Sequence, residues 1–150
     1  VEAKIHTTRN GYALGTVMVM GKGPGAHYRD MMAMIESELT AELQSQEPLR
    51  PPSSGRVSRR VRHFPIPPAV DVRPDERGTY HSLNIVASDR PGLLYRVARQ
   101  LAEYKLDLYS AKINTLGDRA EDVFLISGAT LTDSKSVLKL EQELLAELQI

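Results

Sequence analysis

Ala87-Ser88-Asp89-Arg90-Pro91-Gly92-Leu93-Leu94 follows an apolar run, Leu83 to Val86, and opens an amphipathic one, Leu93 to Tyr104. It reads as a strand that turns through Asp-Arg-Pro-Gly into a helix. The first N–H groups of a helix lack intrahelical partners and carry the positive end of its dipole, so such a corner suits a carboxylate or another small anion. Pro91 fits the first helical turn, where no N–H is needed, and Gly92 leaves room for a ligand or a neighbouring backbone. The same residues also make an ordinary capped turn with Asp89 as N-cap. Both readings stand at this point.

Working outward, periodicity places strand one from about Tyr80 to Ala87 and helix one from about Pro91 to Tyr104. Strand two runs from about Asp107 to Leu116, strand three from about Glu121 to Ser127, and helix two from about Ser134 to Leu148. This βαββα order predicts an α+β sandwich with the helices on one face of an antiparallel sheet. A ferredoxin-like βαββαβ sheet also needs a fourth strand beside strand one. Val70-Asp71-Val72 can supply it through a hairpin at Asp75-Glu76-Arg77-Gly78.

The chain repeats itself. Ala3-Lys4-Ile5-His6-Thr7 matches Ala111-Lys112-Ile113-Asn114-Thr115 at four of five positions. In both copies a turn with Gly and Arg leads to an apolar strand, Thr16 to Met20 or Asp122 to Ile126. A helical pattern follows in each: Tyr28, Met31, Met32, Ile35, Leu39 and Leu43 share a face in the first copy, and Val137, Leu140, Leu144 and Leu148 do in the second. Gly15 stands opposite Asp122 in this alignment. The first copy begins at its strand two. About 30 residues equivalent to Tyr80–Leu108 are therefore expected upstream, which reads the chain as a piece of a longer protein. Without them the first copy exposes apolar surface, and self-association is expected. The expected organisation is a partial unit over 1–64, a connector with a possible extra strand over 65–79, and a second unit over 80–150. Val57 to Phe64 reads as a basic, strand-like stretch able to close the first unit's sheet, through an edge that resists aggregation or a docking surface.

Composition excludes several classes. Lys plus Arg and Asp plus Glu are both 19, so net charge makes no case for nucleic acid or membrane as a partner. The absence of cysteine removes disulfides, thiol catalysis and thiolate metal sites, and fits a cytoplasmic protein. His6, His27, His63 and His81 are scattered and form no metal-ligand pair. Asp118, Glu121 and Asp122 resemble an acidic cluster but follow a hairpin turn that needs no metal. No catalytic residue and no metal site is expected in these 150 residues.

Four stretches occur in one order: Arg59-Arg60-Val61-Arg62-His63-Phe64-Pro65-Ile66-Pro67, Asp89-Arg90-Pro91-Gly92-Leu93-Leu94, Ser110-Ala111-Lys112-Ile113 and Glu121-Asp122-Val123-Phe124. The second unit resembles an ACT domain. The combination is similar to the C-terminal tandem ACT region of the bacterial [protein-PII] uridylyltransferase/uridylyl-removing family, and the resemblance covers nearly the whole chain. It implies two ferredoxin-like ACT units, one incomplete, in a regulatory module that senses glutamine. It also implies a parent enzyme that adds UMP to the nitrogen-signalling protein PII and removes it, with magnesium for the transferase and no cofactor in this segment. Under it, a glutamine carboxylate would sit on the N–H groups of Gly92, Leu93 and Leu94, beside Ser88 and Arg90. Asp89 would pair with the ammonium, and Ser110, Lys112 or Asn114 would hold the amide.

Other readings remain. A ligand-free dimerisation or PII-docking module has the same sequence features. An acylphosphatase-like enzyme shares the fold, with Arg90 and Asn114 superficially in place, but the loop lacks the glycines of its phosphate cradle. An RNA-binding sheet would need exposed aromatics, and strands one and three offer only Tyr80 and Phe124.

Overall fold

The computed structural model describes residues 2–19, 27–52 and 55–149. It forms two compact units, Val19–Pro51 and the remainder of the chain. In the smaller one, helix α1 (Tyr28–Gln44) has no buried residue. Met31 and Ile35 are half-buried on the expected apolar face, while Tyr28, Leu39 and Leu43 are exposed.

The larger unit contains β1 (Glu2–Thr7), β2 (Ala13–Met18), α2 (Arg59–His63), β3 (Ala69–Pro74), β4 (His81–Ser88), α3 (Leu93–Glu103), β5 (Asp107–Leu116), β6 (Arg119–Ser127), a turn of 3-10 helix (Ala129–Thr132) and α4 (Ser134–Leu148). All six strands join one antiparallel sheet in the order β2-β1-β5-β6-β4-β3. The expected βαββα order is present as β4-α3-β5-β6-α4. The extra strand is β3, with Val70 opposite Ile85 and Val72 opposite Leu83. The hairpin turn is held by Asp75, whose carboxylate accepts the N–H groups of Thr79 and Tyr80. Of the apolar run expected over Thr16 to Met20, β2 takes the part up to Met18, and Met20 lies outside the described residues.

Alternation along each strand decides the core. Leu83, Ile85 and Ala87 of β4, Ala111 and Ile113 of β5, and Ala120, Phe124 and Ile126 of β6 point to one face. They meet Leu93, Val97 and Leu101 of α3 and Leu140, Leu144 and Leu148 of α4, residues spaced by four along each helix. Ala3 is buried in the same cluster and Ile5 packs against it, so β1 extends this face. The outer edge of β3 is blunted: the Glu141 carboxylate accepts the Val72 N–H at 2.8 Å. The other edge strand, β2, is exposed throughout, and Leu14, Val17 and Met18 present apolar surface there.

The repeat is visible in the register. Ala3 faces Ile113, Lys4 faces Lys112 and Ile5 faces Ala111. Each residue of Ala3-Lys4-Ile5 thus pairs with the mirror position of its own copy, and a local twofold axis passes between the two lysines. Thr7 Oγ1 donates to the Leu108 carbonyl at 2.8 Å and fastens the far end of this pairing.

One expectation is overturned. Val57–Phe64 is no strand: Arg59–His63 forms the short helix α2. The Ser58 hydroxyl accepts the Val61 N–H as an N-cap, Val61 is buried, and Arg60 pairs with Asp118 at 3.1 Å. Capping and one buried anchor outweigh the strand-like composition. Helix one is also shorter than expected, beginning at Leu93 instead of Pro91.

Between α3 and α4, Glu147 meets Arg96 at 3.2 Å and Arg99 at 2.8 Å. One turn earlier on α4, the Tyr104 hydroxyl donates to Glu143 at 2.9 Å. Desolvation, with the hydrogen bond and charge of Glu143 behind it, pushes the Tyr104 phenol up to about 12 from its ordinary 10.0. A raised folded-state value means this contribution is whole below pH 10 and is lost as pH rises through about 12. Tyr104→Phe should therefore lower stability by about 1 kcal/mol at neutral pH, with the gap to the wild type closing in strong alkali. Urea unfolding midpoints across that range measure it, and equal midpoints at pH 7 would refute it.

Candidate ligand site at the turn into α3

The corner between β4 and α3 is built by a tight turn. Arg90 accepts the Leu93 N–H at 3.2 Å, Pro91 and Gly92 occupy the middle positions, and Gly92 has φ 82° and ψ 8°. Proline followed by a left-handed glycine is the signature of a type II turn. Two expectations change here. Pro91 belongs to the turn and not to the first turn of helix. Asp89 is not the N-cap: that place falls to Gly92, with no side-chain cap, because the turn closes through main-chain atoms. The Asp89 main chain is held instead, its N–H donating to the Asp118 carbonyl at 2.8 Å, while its carboxylate stays exposed.

A cavity of about 290 Å³ opens beside this turn. Asp89, Arg90, Gly92, Leu93, Leu94 and Tyr95 form one wall, and Ile113, Thr115, Ala120 and Asp122 form the other. Pro52 completes it, its Cγ 3.0 Å from where a Gly92 Cβ would stand. Ligand sites of roughly 300–1,000 Å³ are typical, so this volume suits a small metabolite. Among the described residues, the N–H groups of Gly92 and Leu94 are not hydrogen-bonded, whereas that of Leu93 is engaged by Arg90.

Asp122 is the chemical centre of the cavity. It is only 1% exposed, in the inward phase of β6 between Ala120 and Phe124. Its Oδ1 accepts the Asn114 N–H at 3.1 Å, and its Oδ2 is buried without a partner. Burial raises the Asp122 carboxyl above the ordinary aspartate value. The Asn114 hydrogen bond opposes that rise, and the negative charge of Asp89 adds to it. Arg90 lines the same space. Its terminal nitrogen donates to the Glu147 carbonyl at the end of α4, which ties the turn to that helix, while its Nε–H is buried without a partner. Burial pulls the Arg90 guanidinium below its ordinary pKa, nearby Arg96 adds to that, and Glu147 opposes it.

The residues expected to meet a ligand divide. Asp89, Arg90, Gly92, Leu93 and Leu94 come together at the cavity; Ser88, Ser110, Lys112 and Asn114 do not line it. The Ser88 hydroxyl is spent on the Ile66 N–H at 2.7 Å, clipping the connector to β4. Ser110, Lys112 and Asn114 alternate with Ala111 and Ile113, which face the core, so their side chains lie on the opposite face of the sheet. Asn114 contributes only its main-chain N–H. The expected acidic cluster is also dispersed, since Asp118 pairs with Arg60 and Glu121 with Arg119 while Asp122 turns inward. Among the described residues, no three His, Cys, Asp or Glu side chains gather to hold a metal ion. No helix there is long and apolar enough to cross a membrane.

The chain is 52% identical to the bifunctional uridylyltransferase/uridylyl-removing enzyme of Cupriavidus pinatubonensis, over 99% of its own length and 18% of that protein. It is 49% identical to the enzyme of the same description from Aromatoleum aromaticum, over 100% of the chain and 17% of the relative, and 50% identical to that of Ralstonia nicotianae, over 100% and 18%. Over its whole length this chain is similar to a segment of bifunctional uridylyltransferase/uridylyl-removing enzymes. It spans about a fifth of the length of these relatives. No family model and no solved structure matches it.

Two outcomes follow from the geometry. Gly92→Val puts a β-branched side chain at φ 82° and against Pro52, and should cost of the order of 1–3 kcal/mol in chemical denaturation. A wild-type midpoint would show that the turn is not held in this conformation. For Asp122, a raised folded-state pKa means that the cost of its charge is absent below the unfolded value of 3.8 and grows as pH rises through the folded one. Asp122→Asn should therefore raise the melting temperature at pH 7 and lose that advantage in acid. A variant less stable than wild type at pH 7 would make Asp122 a structural residue.

Proposed function

We propose that this chain is an amino-acid-sensing regulatory module, built of ACT-like, ferredoxin-type units, and that glutamine is its ligand. In this reading the parent is a cytoplasmic enzyme that adds UMP to protein PII and removes it, and the module carries no catalytic residue. Its similarity to a segment of bifunctional uridylyltransferase/uridylyl-removing enzymes supports the parentage. The observation that carries the ligand reading is the pairing of free N–H groups on Gly92 and Leu94 with a cavity that holds a buried, half-partnered carboxylate.

An amino acid brings an anion, a cation and a side chain in fixed relation. Its carboxylate suits the Gly92 and Leu94 N–H groups at the start of α3, where the helix dipole adds to them. The ammonium sits two bonds away and suits Asp89 at the exposed rim. The side chain then runs inward between Leu93, Ile113 and Ala120, which are buried and apolar. Ligand occupancy shifts an enzyme's equilibrium only through unequal affinity for its states, and a module of this kind supplies that inequality without touching the reacting atoms. Magnesium belongs, in this reading, to the transferase reaction of the parent, and no donor set among the described residues fits it.

Calorimetric titration of the chain should detect glutamine and should lose the signal with glutaminamide, which keeps the side chain and ammonium but lacks the α-carboxylate. Equal binding of the two would place the carboxylate elsewhere than at the start of α3. Absence of any amino-acid binding would leave the ligand-free module as the better account.

A further inference from the structure

Asp122 carries more chemistry than the sheet requires. Its Oδ1 does structural work by taking the Asn114 N–H between two paired stretches of the β5–β6 ladder, Lys112 opposite Val123 and Thr115 opposite Ala120. A serine or an asparagine in that place would also accept this N–H. The second oxygen, Oδ2, is buried in the wall of the cavity with no partner, and among the described residues no ion pair neutralises the group. A buried acceptor left unmade is costly, more so when charged. The strand-equivalent position in the first copy shows that the fold itself does not ask for it. Thr7 faces Ala13 as Thr115 faces Ala120, which makes Gly15 the counterpart of Asp122. Gly15 has no side chain at all, and β1 and β2 still pair on both sides of it.

We infer that Asp122 is the specificity-determining residue of the cavity: its Oδ2 accepts an N–H of the ligand's side-chain amide and thereby admits glutamine and refuses glutamate. This rests on the amino-acid site proposed above. The choice of the amide over the ammonium follows from position. The α-carboxylate and α-ammonium share one carbon, so a carboxylate at Leu94 keeps the ammonium near the exposed Asp89. Only the end of the side chain reaches the opposite wall of Ile113, Ala120 and Asp122. A neutral amide enters such surroundings at less cost than a charge. Glutamate would bring a second carboxylate against Asp122, with no cation among the described residues paired to it.

Three ligands on the wild-type chain and one variant test this by calorimetry. Glutamine should bind at least about tenfold more tightly than both glutamate and glutamate γ-methyl ester, the latter keeping the carbonyl but lacking the amide N–H. In Asp122→Asn, whose Oδ1 still accepts the Asn114 N–H and whose amide can donate to a carboxylate, the preference for glutamine over glutamate should fall by about the same factor. The methyl-ester comparison needs no variant and so stands even if Asp122→Asn folds poorly. A wild type that binds the ester as well as glutamine overturns the inference, as does a variant that weakens both amino acids equally and keeps their ratio, which would place the ammonium at Asp122. Either result leaves the amino-acid site standing. A wild type that binds none of the three overturns the site and this inference together.

Discussion

A strand inside a sheet must have both of its edges hydrogen-bonded, and β5 meets that demand from the two copies of one repeat. On one side β6 returns through the hairpin at Gly117; on the other β1 lies antiparallel, with Lys4 opposite Lys112. Because the side-chain period is two, this register puts Ala3 and Ile5 on the same face as Ala111 and Ile113, and one core runs beneath both copies. A slip of one residue would turn Ala3 to the polar face and set a lysine into the core. The two lysines across the axis repel each other, a cost of a few tenths of a kcal/mol by the usual cross-strand scale, which Glu2 offsets by pairing with Lys4 at 3.1 Å. The placement of the cavity follows as well, since Ile113 and Thr115 of β5 make its inner wall.

The cavity gathers several places where this sequence departs from local rules. Gly92 takes a left-handed conformation, a helix begins without a side-chain cap, and a carboxylate and a guanidinium nitrogen are buried without partners. Elsewhere Ser58 caps α2, Asp133 caps α4 through the N–H groups of Lys135 and Ser136, and Glu141 serves the β3 edge, while on α3 the Arg96 Nε and Gln100 Oε1 are also buried without partners. A left-handed glycine, an uncapped helix start and two unpartnered buried groups meeting in one corner fit a site whose stability cost is balanced by function. A purely structural strand would need only a neutral acceptor at position 122 for the Asn114 N–H and would have no use for a second, unpartnered oxygen.

Much of this was legible in the residues, for identifiable reasons. The apolar run Leu83–Val86 and the helical spacing of Val137, Leu140, Leu144 and Leu148 located the layers. The Asp75–Gly78 turn placed β3 beside β4, because a short hairpin leaves few other partners. The turn that opens the site was marked by Asp-Arg-Pro-Gly, but its cap was not, since proline and glycine close it through main-chain atoms while aspartate merely has the composition of a cap. Arg59–His63 misled because four basic residues carry little periodicity, and the deciding feature was one buried valine behind a serine cap. Ser110, Lys112 and Asn114 misled because polarity nominates residues for a ligand, whereas on a strand the phase decides which face they reach. Asp122 had a signal of its own: a lone charge in the inward phase of Ala120, Phe124 and Ile126. It was obscured by grouping with Asp118 and Glu121, neighbours in sequence that face elsewhere.

The two copies have diverged in what they contribute. Where β6 carries Asp122, β2 carries Gly15, so the carboxylate belongs to one copy while the other supplies the sheet edge that completes β5. The chain between the copies returns to the site from outside the sheet. Pro52 stands against Gly92, and at Gly55 a side chain would meet Pro91, an ideal Cβ lying 2.5 Å from its Cγ. Both contacts fall on the two middle residues of the turn whose N–H groups and conformation shape the cavity. A change of conformation in the turn must therefore displace the connector packed on it. Steric contact of this kind ties the conformation of the turn to the course of the connector with no further chemistry between them.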